Sequence, residues 1–214
     1  LVILRNSPES FLSIDGDWIE TRPIKGTRAR GATAADDRAA VSSLVSDPKE
    51  LAEHVMIVDL ERNDLGRVCT VGSVEVAEQA RVMSLATLHH LESRVRGRLR
   101  ARVGTAAVLR ATFPGGSITG APKIQAMRII AEVEPAARGV YTGAIGAFDG
   151  PRRAELNVAI RTAVVAGGYV TYGTGGGIVA DSHPDAEYEE TVTKARAFLD
   201  SLAVRDNVAG GAGC

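Results

Sequence analysis

The pattern of apolar and polar residues changes its period along the chain, and its first segment predicts a β-hairpin. The segments FLSI and WIET flank Asp15-Gly16-Asp17, so residues 10–22 are expected to form two strands joined by a tight turn. Short strands are also expected over residues 68–87, around Gly72. Three further strands are expected within residues 139–173, two of them joined by a glycine turn.

Between these strands, apolar residues recur at helical spacing. One helix is expected over residues 34–46. Another should begin after Asp47, a good N-cap that Pro48 follows at the first helical position, and should run toward Asn63. The remaining helices are expected over residues 88–100, 104–111, about 123–133 and about 184–203.

This mixture of long helices and antiparallel strands predicts the fold class. It indicates an α+β (mixed α/β) protein in which layered antiparallel β-sheets carry outer helices. The last residues, 206–214, are rich in glycine and are expected to form a flexible tail. One domain is therefore predicted over residues 1–205.

Composition and charge exclude several classes of function. The net charge is −1 and aromatic residues make up 4% of the chain, so no nucleic-acid-binding surface is indicated. No apolar run approaches the roughly 20 residues that cross a bilayer. Two cysteines favour a reducing compartment such as the cytoplasm. The alternate arginines of residues 94–102 are interpreted as a solvated face.

Lysine is scarce, which makes each lysine informative. The chain has 4 lysines against 21 arginines, and Lys25 and Lys123 both lie in segments rich in glycine and proline. A lysine amine can act as a nucleophile, whereas an arginine remains charged. The ordinary alternative is that Lys25 is a surface residue at a turn.

Carboxylates on the predicted helices are candidate metal ligands. Glu53 shares one helix face with Met56 and Leu60, but the opposite face is also apolar, so spacing leaves open which face is buried. Glu187 and Glu190 project together near the start of the last helix. Two such carboxylates and a third from another helix suit Mg²⁺. Alternatively, the acidic residues of the last helix only complement its dipole.

Two glycine-rich segments are candidate anion sites. The segment 115–120 precedes a helix, and Gly175, Gly176 and Gly177 follow a strand, so both expose backbone N–H donors. Arg161 lies on a nearby predicted strand, and its guanidinium group can bind a carboxylate through two parallel hydrogen bonds. Together they favour a substrate with two carboxylates, although tight turns explain the glycines equally well.

Eight segments in a fixed order resemble the chorismate-utilising enzymes, which include anthranilate synthase large subunits, aminodeoxychorismate synthase component I, and isochorismate and salicylate synthases. The similarity covers about residues 6–203. The segments are SPESF (7–11), RPIKGT (22–27), AEHVMIVDLERNDLGRV (52–68), HHLESRV (89–95), FPGGSITGAPKIQAMRII (113–130), YTGAIG (141–146), NVAIRT (157–162) and GGGIVADSHPDAEYEET (175–191).

The resemblance implies a fold and a cofactor. The fold would be the C-terminal portion of the anthranilate synthase component I-like fold, because family members are usually much longer, and missing strands would leave exposed sheet edges. Glu53 and Glu190 fall where the family binds Mg²⁺, and Glu187 falls on an acidic position that supports the metal.

The resemblance also implies substrate-binding and catalytic residues. Glu9 falls on a proposed general acid, and His90 on a histidine beside the reacting ring. The residues implied to bind substrate are Ser117 and Lys123, which line the site, and Tyr141, Arg161, Gly175, Gly176 and Gly177, which hold its carboxylates.

Lys25 separates the subfamilies. Anthranilate synthases usually read Pro-Ile-Ala-Gly-Thr, whereas aminodeoxychorismate synthases read Pro-Ile-Lys-Gly-Thr, as in this chain. The resemblance therefore implies Mg²⁺-dependent amination of chorismate to 4-amino-4-deoxychorismate, with Lys25 as a covalent nucleophile and with ammonia from a glutamine amidotransferase partner. Anthranilate synthesis, a water-using isochorismate or salicylate synthase, and a chorismate-binding fragment without activity remain alternatives.

Overall fold

The computed structural model describes residues 1–180 and 182–203. The predicted flexible tail over residues 206–214, and the predicted domain boundary at residue 205, lie outside the described residues.

Within the described residues the chain forms ten strands and six helices. In chain order they are β1 (Val2–Arg5), β2 (Ser10–Asp15), β3 (Trp18–Arg22), β4 (Ile24–Ala29), α1 (Ala34–Ser46), α2 (Pro48–Gly66), β5 (Glu75–Ser84), β6 (Leu88–Arg98), α3 (Thr105–Thr112), α4 (Gly116–Thr119), α5 (Lys123–Val133), β7 (Ala144–Phe148), β8 (Arg153–Val158), β9 (Thr162–Ala166), β10 (Tyr169–Tyr172) and α6 (Pro184–Ala203).

The chain divides into two compact units. Within the described residues, the large unit comprises residues 8–137 and 144–158, and the small unit comprises residues 1–7, 138–143, 159–180 and 182–203. Both contain antiparallel sheets and helices, which confirms the predicted α+β class.

The large unit contains a seven-stranded antiparallel sheet in which β6 is the central element. The strand order is β4-β6-β3-β2-β8-β7, and β5 also pairs with β6. One edge of β6 pairs with β5, while the other pairs first with β4 and then with β3. The Ser93 amide donates to the carbonyl of Pro23, at the junction of β3 and β4, over 3.1 Å. A single long strand therefore aligns three others.

The helix predicted over residues 88–100 is wrong, because this segment is strand β6. Leu88, Leu91 and Val95 recur at helical spacing, which misled the prediction. The arginines that alternate with smaller residues from 94 to 98 carry the period of two that a strand requires. Backbone pairing along both edges of β6 outweighs the helix propensity of its arginines and leucines.

Two strand predictions also need correction. Residues 68–87 contain one long strand, β5, and Gly72 lies in the turn that precedes it. Residues 139–173 contain four strands, β7 to β10, where three were predicted, although the turn at residues 167–168 is confirmed.

The predicted hairpin and the two helices that follow it are confirmed. In α1, the Thr33 hydroxyl accepts from the Asp36 amide while the Asp36 carboxylate accepts from the Thr33 amide, which is a capping box. In α2, Asp47 caps the helix and Pro48 occupies its first turn. This helix ends at Gly66, three residues beyond the predicted end.

The core of the large unit lies where α2 packs on the sheet. Ile19 of β3 and Leu91 and Val95 of β6 are fully buried, and Ile57 of α2 is 2% exposed. The buried face of α2 also carries polar residues, which are His54, Glu61 and Asp64. The helix therefore supplies both core and candidate site residues.

The small unit contains a three-stranded antiparallel sheet in the order β1-β9-β10, together with α6. Tyr172 of β10 and Phe198 of α6 stack with ring centroids 4.2 Å apart. The apolar side chains of the edge strand β1 are largely exposed, with Leu4 at 56%. No helix of the described chain is long and apolar enough to span a membrane.

Truncation of Leu91 should test the central role of β6. We expect Leu91→Ala to lower the free energy of unfolding by about 2–5 kcal/mol, because it leaves a cavity at a fully buried position. Val71→Ala is the matched control, since Val71 is 98% exposed, and it should change stability by less than about 0.5 kcal/mol. Urea unfolding followed by circular dichroism measures both, and similar effects of the two substitutions would contradict this role.

Candidate functional site

Lys25 lies beside a bulge in strand β4. The pairing of β4 with β6 shifts register between Lys25 and Thr27, and Gly26 between them has a φ of +69°. A Cβ at Gly26 would also lie 2.7 Å from Leu44 Cδ1. Glycine is therefore required at the bulge, which ends one run of paired residues and sets the position of Lys25.

The Lys25 ammonium group forms an ion pair with Glu53. Lys25 Nζ lies 3.5 Å from Glu53 Oε2, and the two side chains are 21% and 17% exposed. Glu53 extends from α2 next to the buried face that begins at His54. The structure thus brings the predicted nucleophile and one predicted metal ligand together within the large unit.

Two histidines support this part of the large unit. Nδ1 of His90, which is buried, donates to the carbonyl oxygen of Gly26 over 2.9 Å and lies 3.1 Å from the Thr27 hydroxyl. His54 is fully buried, and its Nε2 lies 2.6 Å from Ser93 Oγ. Burial lowers the pKa of His54 to about 4, and the charge of Lys25 acts in the same direction. His54 is therefore neutral at neutral pH.

Glu9 has the protonation behaviour expected of an acid. Its side chain is buried and accepts one hydrogen bond from the Ser117 side chain and another from the Ile24 backbone. The positive charge of Lys25 also interacts with it. Burial raises the pKa of Glu9 from 4.5 to about 7, against the opposing effect of the Ser117 hydrogen bond. A carboxyl group with this pKa can donate a proton near neutral pH.

A second buried carboxyl group, Glu61, lies close enough to influence Glu9 electrostatically. Glu61 Oε1 accepts from the Gly116 amide over 3.1 Å, and the Thr21 side chain also donates to Glu61. Burial raises the pKa of Glu61 to about 7. The charge of Asp64 adds to this rise.

Lys123 fastens the glycine-rich loop to α2. Its ammonium group donates to the Asp64 carboxylate, to the Thr112 carbonyl over 3.0 Å and to the Pro114 carbonyl over 2.7 Å. Burial raises the pKa of Asp64, and the hydrogen bond from Lys123 opposes this rise. The loop that carries Ser117 is therefore anchored on the same helix face as Glu61.

In the small unit, Tyr141 packs on the glycine segment. A Cβ at Gly173 would lie 2.3 Å from Tyr141 Cγ, and one at Gly175 would lie 2.9 Å from the Tyr141 hydroxyl. Only glycine permits this approach of ring and backbone. Arg161 has a φ of +46°, and its carbonyl accepts from the Asn6 amide over 3.0 Å. A left-handed arginine costs on the order of 1–3 kcal/mol, which is typical of functional sites.

The two carboxylates of α6 also lie in the small unit. A Cβ at Gly176 would lie 3.2 Å from Glu187 Oε2, so the glycine leaves room beside this carboxylate. Glu187 Oε1 accepts from the Ser182 hydroxyl over 2.6 Å, and Glu190 Oε1 lies 2.7 Å from Lys194 Nζ. Glu187 is therefore an oxygen donor with space beside it, the type of ligand that Mg²⁺ takes, whereas Glu190 is engaged by Lys194. Within the described part of neither unit do three His, Cys, Asp or Glu side chains converge on a metal position.

The predicted site residues therefore fall into two groups. The large unit holds Glu9, Lys25, Glu53, His90, Ser117 and Lys123, and the small unit holds Tyr141, Arg161, Gly175, Gly176, Gly177, Glu187 and Glu190. Their roles remain predictions.

Sequence reasoning missed Glu61, Asp64 and Thr21. The segment Leu-Glu-Arg-Asn-Asp lies within residues 52–68, which carry the family resemblance, but the resemblance assigns no role to its acidic residues. The signal was their spacing of three on α2, in line with the buried Ile57. A helix face that mixes aliphatic and acidic residues is not normally predicted to be buried.

Comparison with known proteins establishes the family. Residues 2–200 match the family described as chorismate binding enzyme. The chain belongs to the chorismate-binding enzyme family. This match covers nearly the whole chain and confirms the resemblance that the eight segments indicated.

Two curated relatives of this chorismate-binding enzyme differ in the reaction their names describe. The chain is 52% identical over 196 residues to anthranilate synthase component 1 3 of Haloarcula marismortui, which covers 92% of the chain and 39% of that protein. It is 49% identical over 201 residues to an aminodeoxychorismate synthase of Streptomyces pristinaespiralis, which covers 94% of the chain and 28% of that protein. The chain spans less than half the length of these relatives.

A solved structure supports the fold. The crystal structure of anthranilate synthase component I from Streptococcus pneumoniae matches with a TM-score of 0.82 and 42% identity, over 91% of this chain and 42% of that one. The expected anthranilate synthase component I-like fold is therefore confirmed.

The raised pKa values of Glu9 and Glu61 predict how stability changes with pH. The folded protein keeps these protons up to about pH 7, whereas the unfolded chain releases them near 4.5, so the free energy of unfolding should fall as pH rises between these values. The raised pKa of Asp64 acts in the same direction, the lowered pKa of His54 offsets part of the fall between about pH 4 and 6.5, and the lowered pKa of Asp37 and of Asp47 acts only below about pH 4.

The substitution Glu61→Gln should remove the part of this decrease that Glu61 contributes. That part amounts to on the order of 3 kcal/mol in the free energy of unfolding between pH 5 and pH 8. Urea unfolding at pH 5, 6, 7 and 8 measures it, with Glu132→Gln on an exposed face of α5 as the control. An equal pH dependence in wild type and Glu61→Gln would show that Glu61 does not titrate in this range.

Proposed function

We propose that this chorismate-binding enzyme catalyses the Mg²⁺-dependent amination of chorismate to 4-amino-4-deoxychorismate, the aminodeoxychorismate synthase reaction that leads to para-aminobenzoate and folate. Ammonia comes from a glutamine amidotransferase partner. The observation that carries the proposal is the position of Lys25, in the Pro-Ile-Lys-Gly-Thr segment, beside Glu53 and within the electrostatic reach of Glu9.

Three properties of Lys25 support a role as nucleophile. Its side chain is only 21% exposed, so it is no ordinary surface lysine. The bulge at Gly26 fixes the backbone from which it extends. The carboxylate of Glu53, at 3.5 Å, holds the side chain in place, and the proton that the ammonium group must lose before its nitrogen can attack passes to solvent.

The proposed reaction proceeds by two substitutions. The neutral Lys25 amine forms a C–N bond to the ring while the 4-hydroxyl leaves, and Glu9 supplies the proton that makes it water. The adduct nitrogen loses one proton to a nearby base. Ammonia then forms the new C–N bond as the Lys25 amine departs and recovers its proton. The sum is chorismate plus ammonia giving aminodeoxychorismate plus water.

The remaining site residues bind substrate and cofactor. Glu53, Glu187 and Glu190 supply oxygen ligands to Mg²⁺, which when bound offsets the negative charge of the substrate and of the departing hydroxyl. Arg161, Tyr141 and the backbone amides of the Gly175–Gly177 segment bind carboxylates. Ser117 of α4 borders Glu9, Lys123 at the start of α5 anchors the same segment on α2, and His90 supports the bulge beside Lys25.

The identity of the product tests the proposal. The 214-residue chain is incubated with chorismate, Mg²⁺ and an ammonium salt near neutral pH, where Glu9 still holds its proton in part, and the products are separated and identified by mass spectrometry. We expect aminodeoxychorismate, which keeps the enolpyruvyl group, and no release of pyruvate. A second incubation, with glutamine and an amidotransferase subunit in place of the ammonium salt, tests the partner.

Lys25→Ala should lower the rate of aminodeoxychorismate formation by roughly 10³-fold or more, as expected when a nucleophile is lost. Lys49→Ala is the matched control, because Lys49 is an exposed lysine at the start of α2. Without ammonia, wild-type protein should also gain the mass of chorismate less one water, and Lys25→Ala should not. Full activity of Lys25→Ala without any adduct would refute the covalent role.

Anthranilate synthesis is the second candidate, and the 52% identity to the Haloarcula protein favours it. It predicts a fluorescent product and an equal amount of pyruvate. Calorimetric titration with chorismate and Mg²⁺ separates a third outcome, in which the chain binds chorismate but forms neither product.

A further inference from the structure

Glu61 and Glu9 bind consecutive residues of one short turn of the large unit. Glu61 Oε1 accepts from the amide of Gly116, the first residue of α4, over 3.1 Å. The next residue, Ser117, donates its hydroxyl to Glu9. Two buried carboxyl groups are therefore connected through two consecutive residues.

Packing fixes this turn on α2. A Cβ at Gly116 would lie 2.8 Å from Leu60 Cδ2 and 3.3 Å from Glu61 Oε1, so the backbone touches the helix directly. The Thr21 side chain donates to Glu61 from β3, on the sheet side. Glu61 is therefore held between the sheet and the turn that carries Ser117.

Charged groups from β4, α2 and α5 act on the pair. Lys25 of β4 and Glu61 of α2 act on Glu9, and Asp64 of α2 and Lys123 of α5 act on Glu61. The Lys123 ammonium is itself bonded to Asp64. Because Glu61 and Glu9 are both buried, ionisation of either one opposes ionisation of the other.

We propose that Glu61 is a positioning residue for Glu9, that it acts through the Gly116 amide and the Ser117 hydroxyl, and that ionisation of Glu61 opposes ionisation of Glu9. The part of this inference that concerns proton donation to substrate rests on the proposed function. The coupling of the two carboxyl groups does not.

The coupling has a measurable consequence. When two carboxyl groups interact, their two protons are lost in two steps, and each step involves both groups. The titration curve of each group is therefore broader than that of an isolated acid. With Glu61 neutral at every pH, Glu9 should titrate in a single step at lower pH. A residue that only supports the loop would change neither the shape nor the midpoint of this curve.

The test is a ¹³C NMR titration of protein labelled at the glutamate side-chain carboxyl carbon. The Glu9 signal is assigned by its loss in Glu9→Gln. We expect Glu61→Gln, which keeps an oxygen acceptor for the Gly116 amide, to lower the midpoint of Glu9 by about one pH unit and to make its titration single-step. Glu132→Gln, on the exposed face of α5, is the control and should leave the curve unchanged.

A reciprocal variant keeps the inference falsifiable if Glu61→Gln does not fold. Coupling between two sites is mutual, so Glu9→Gln must lower the midpoint of the Glu61 signal by a similar amount. Ser117→Ala should raise the midpoint of Glu9, because the carboxylate loses a donor. Glu9 or Glu61 curves that stay the same in these variants would overturn the inference.

The turnover assay is a separate arm. If the proposed function holds, the alkaline limit of kcat/KM should move to lower pH in Glu61→Gln by the same shift as the Glu9 midpoint. A shifted NMR midpoint in a chain that forms no aminodeoxychorismate would refute the proposed function and leave the coupling established.

Discussion

The pairing of one long strand with three others is the constraint on which the large unit depends. Strand β6 pairs with β5 along one edge and with β4 and β3 along the other. Its register therefore sets the position of β4, the strand that holds Lys25. The bulge beside Lys25 exists only because β4 must keep pairing with β6 on both sides of Gly26. On the same strand, Ser93 binds His54 of α2, and His90 binds the Gly26 carbonyl. Strand, bulge and helix therefore form one rigid support.

Local signals in the sequence were sufficient for the elements with strong end signals. The hairpin around Gly16 and the helices α1, α2 and α6 are present where turn residues, caps and periodicity predicted them. Strand β6 was not predictable in this way, because its leucines repeat at helical spacing and its strand character comes from partners distant in the sequence. The least local element of the fold was thus the one that local patterns described wrongly.

The site shows the same division. Motif resemblance pointed to Lys25, Glu53 and Glu9, and the structure brings the first two into direct contact and places Glu9 within electrostatic reach of Lys25. Motif resemblance gave no indication of Glu61, because a glutamate between apolar helix positions is normally a solvated residue. Only the packing of α4 on α2 shows that Glu61 has exchanged water for one backbone amide and one hydroxyl. Desolvation is a property of the assembled fold, and no single segment encodes it.

At the bulge, the residue that the backbone conformation requires and the residue that carries the reactive group are different residues. The left-handed φ and the close approach of Leu44 demand glycine at position 26, whereas neither constrains the side chain at position 25. Position 25 is therefore free to vary without rebuilding β4 or its pairing. A scaffold of this kind lets a single substitution change the reactive group at position 25 while the architecture around it stays intact.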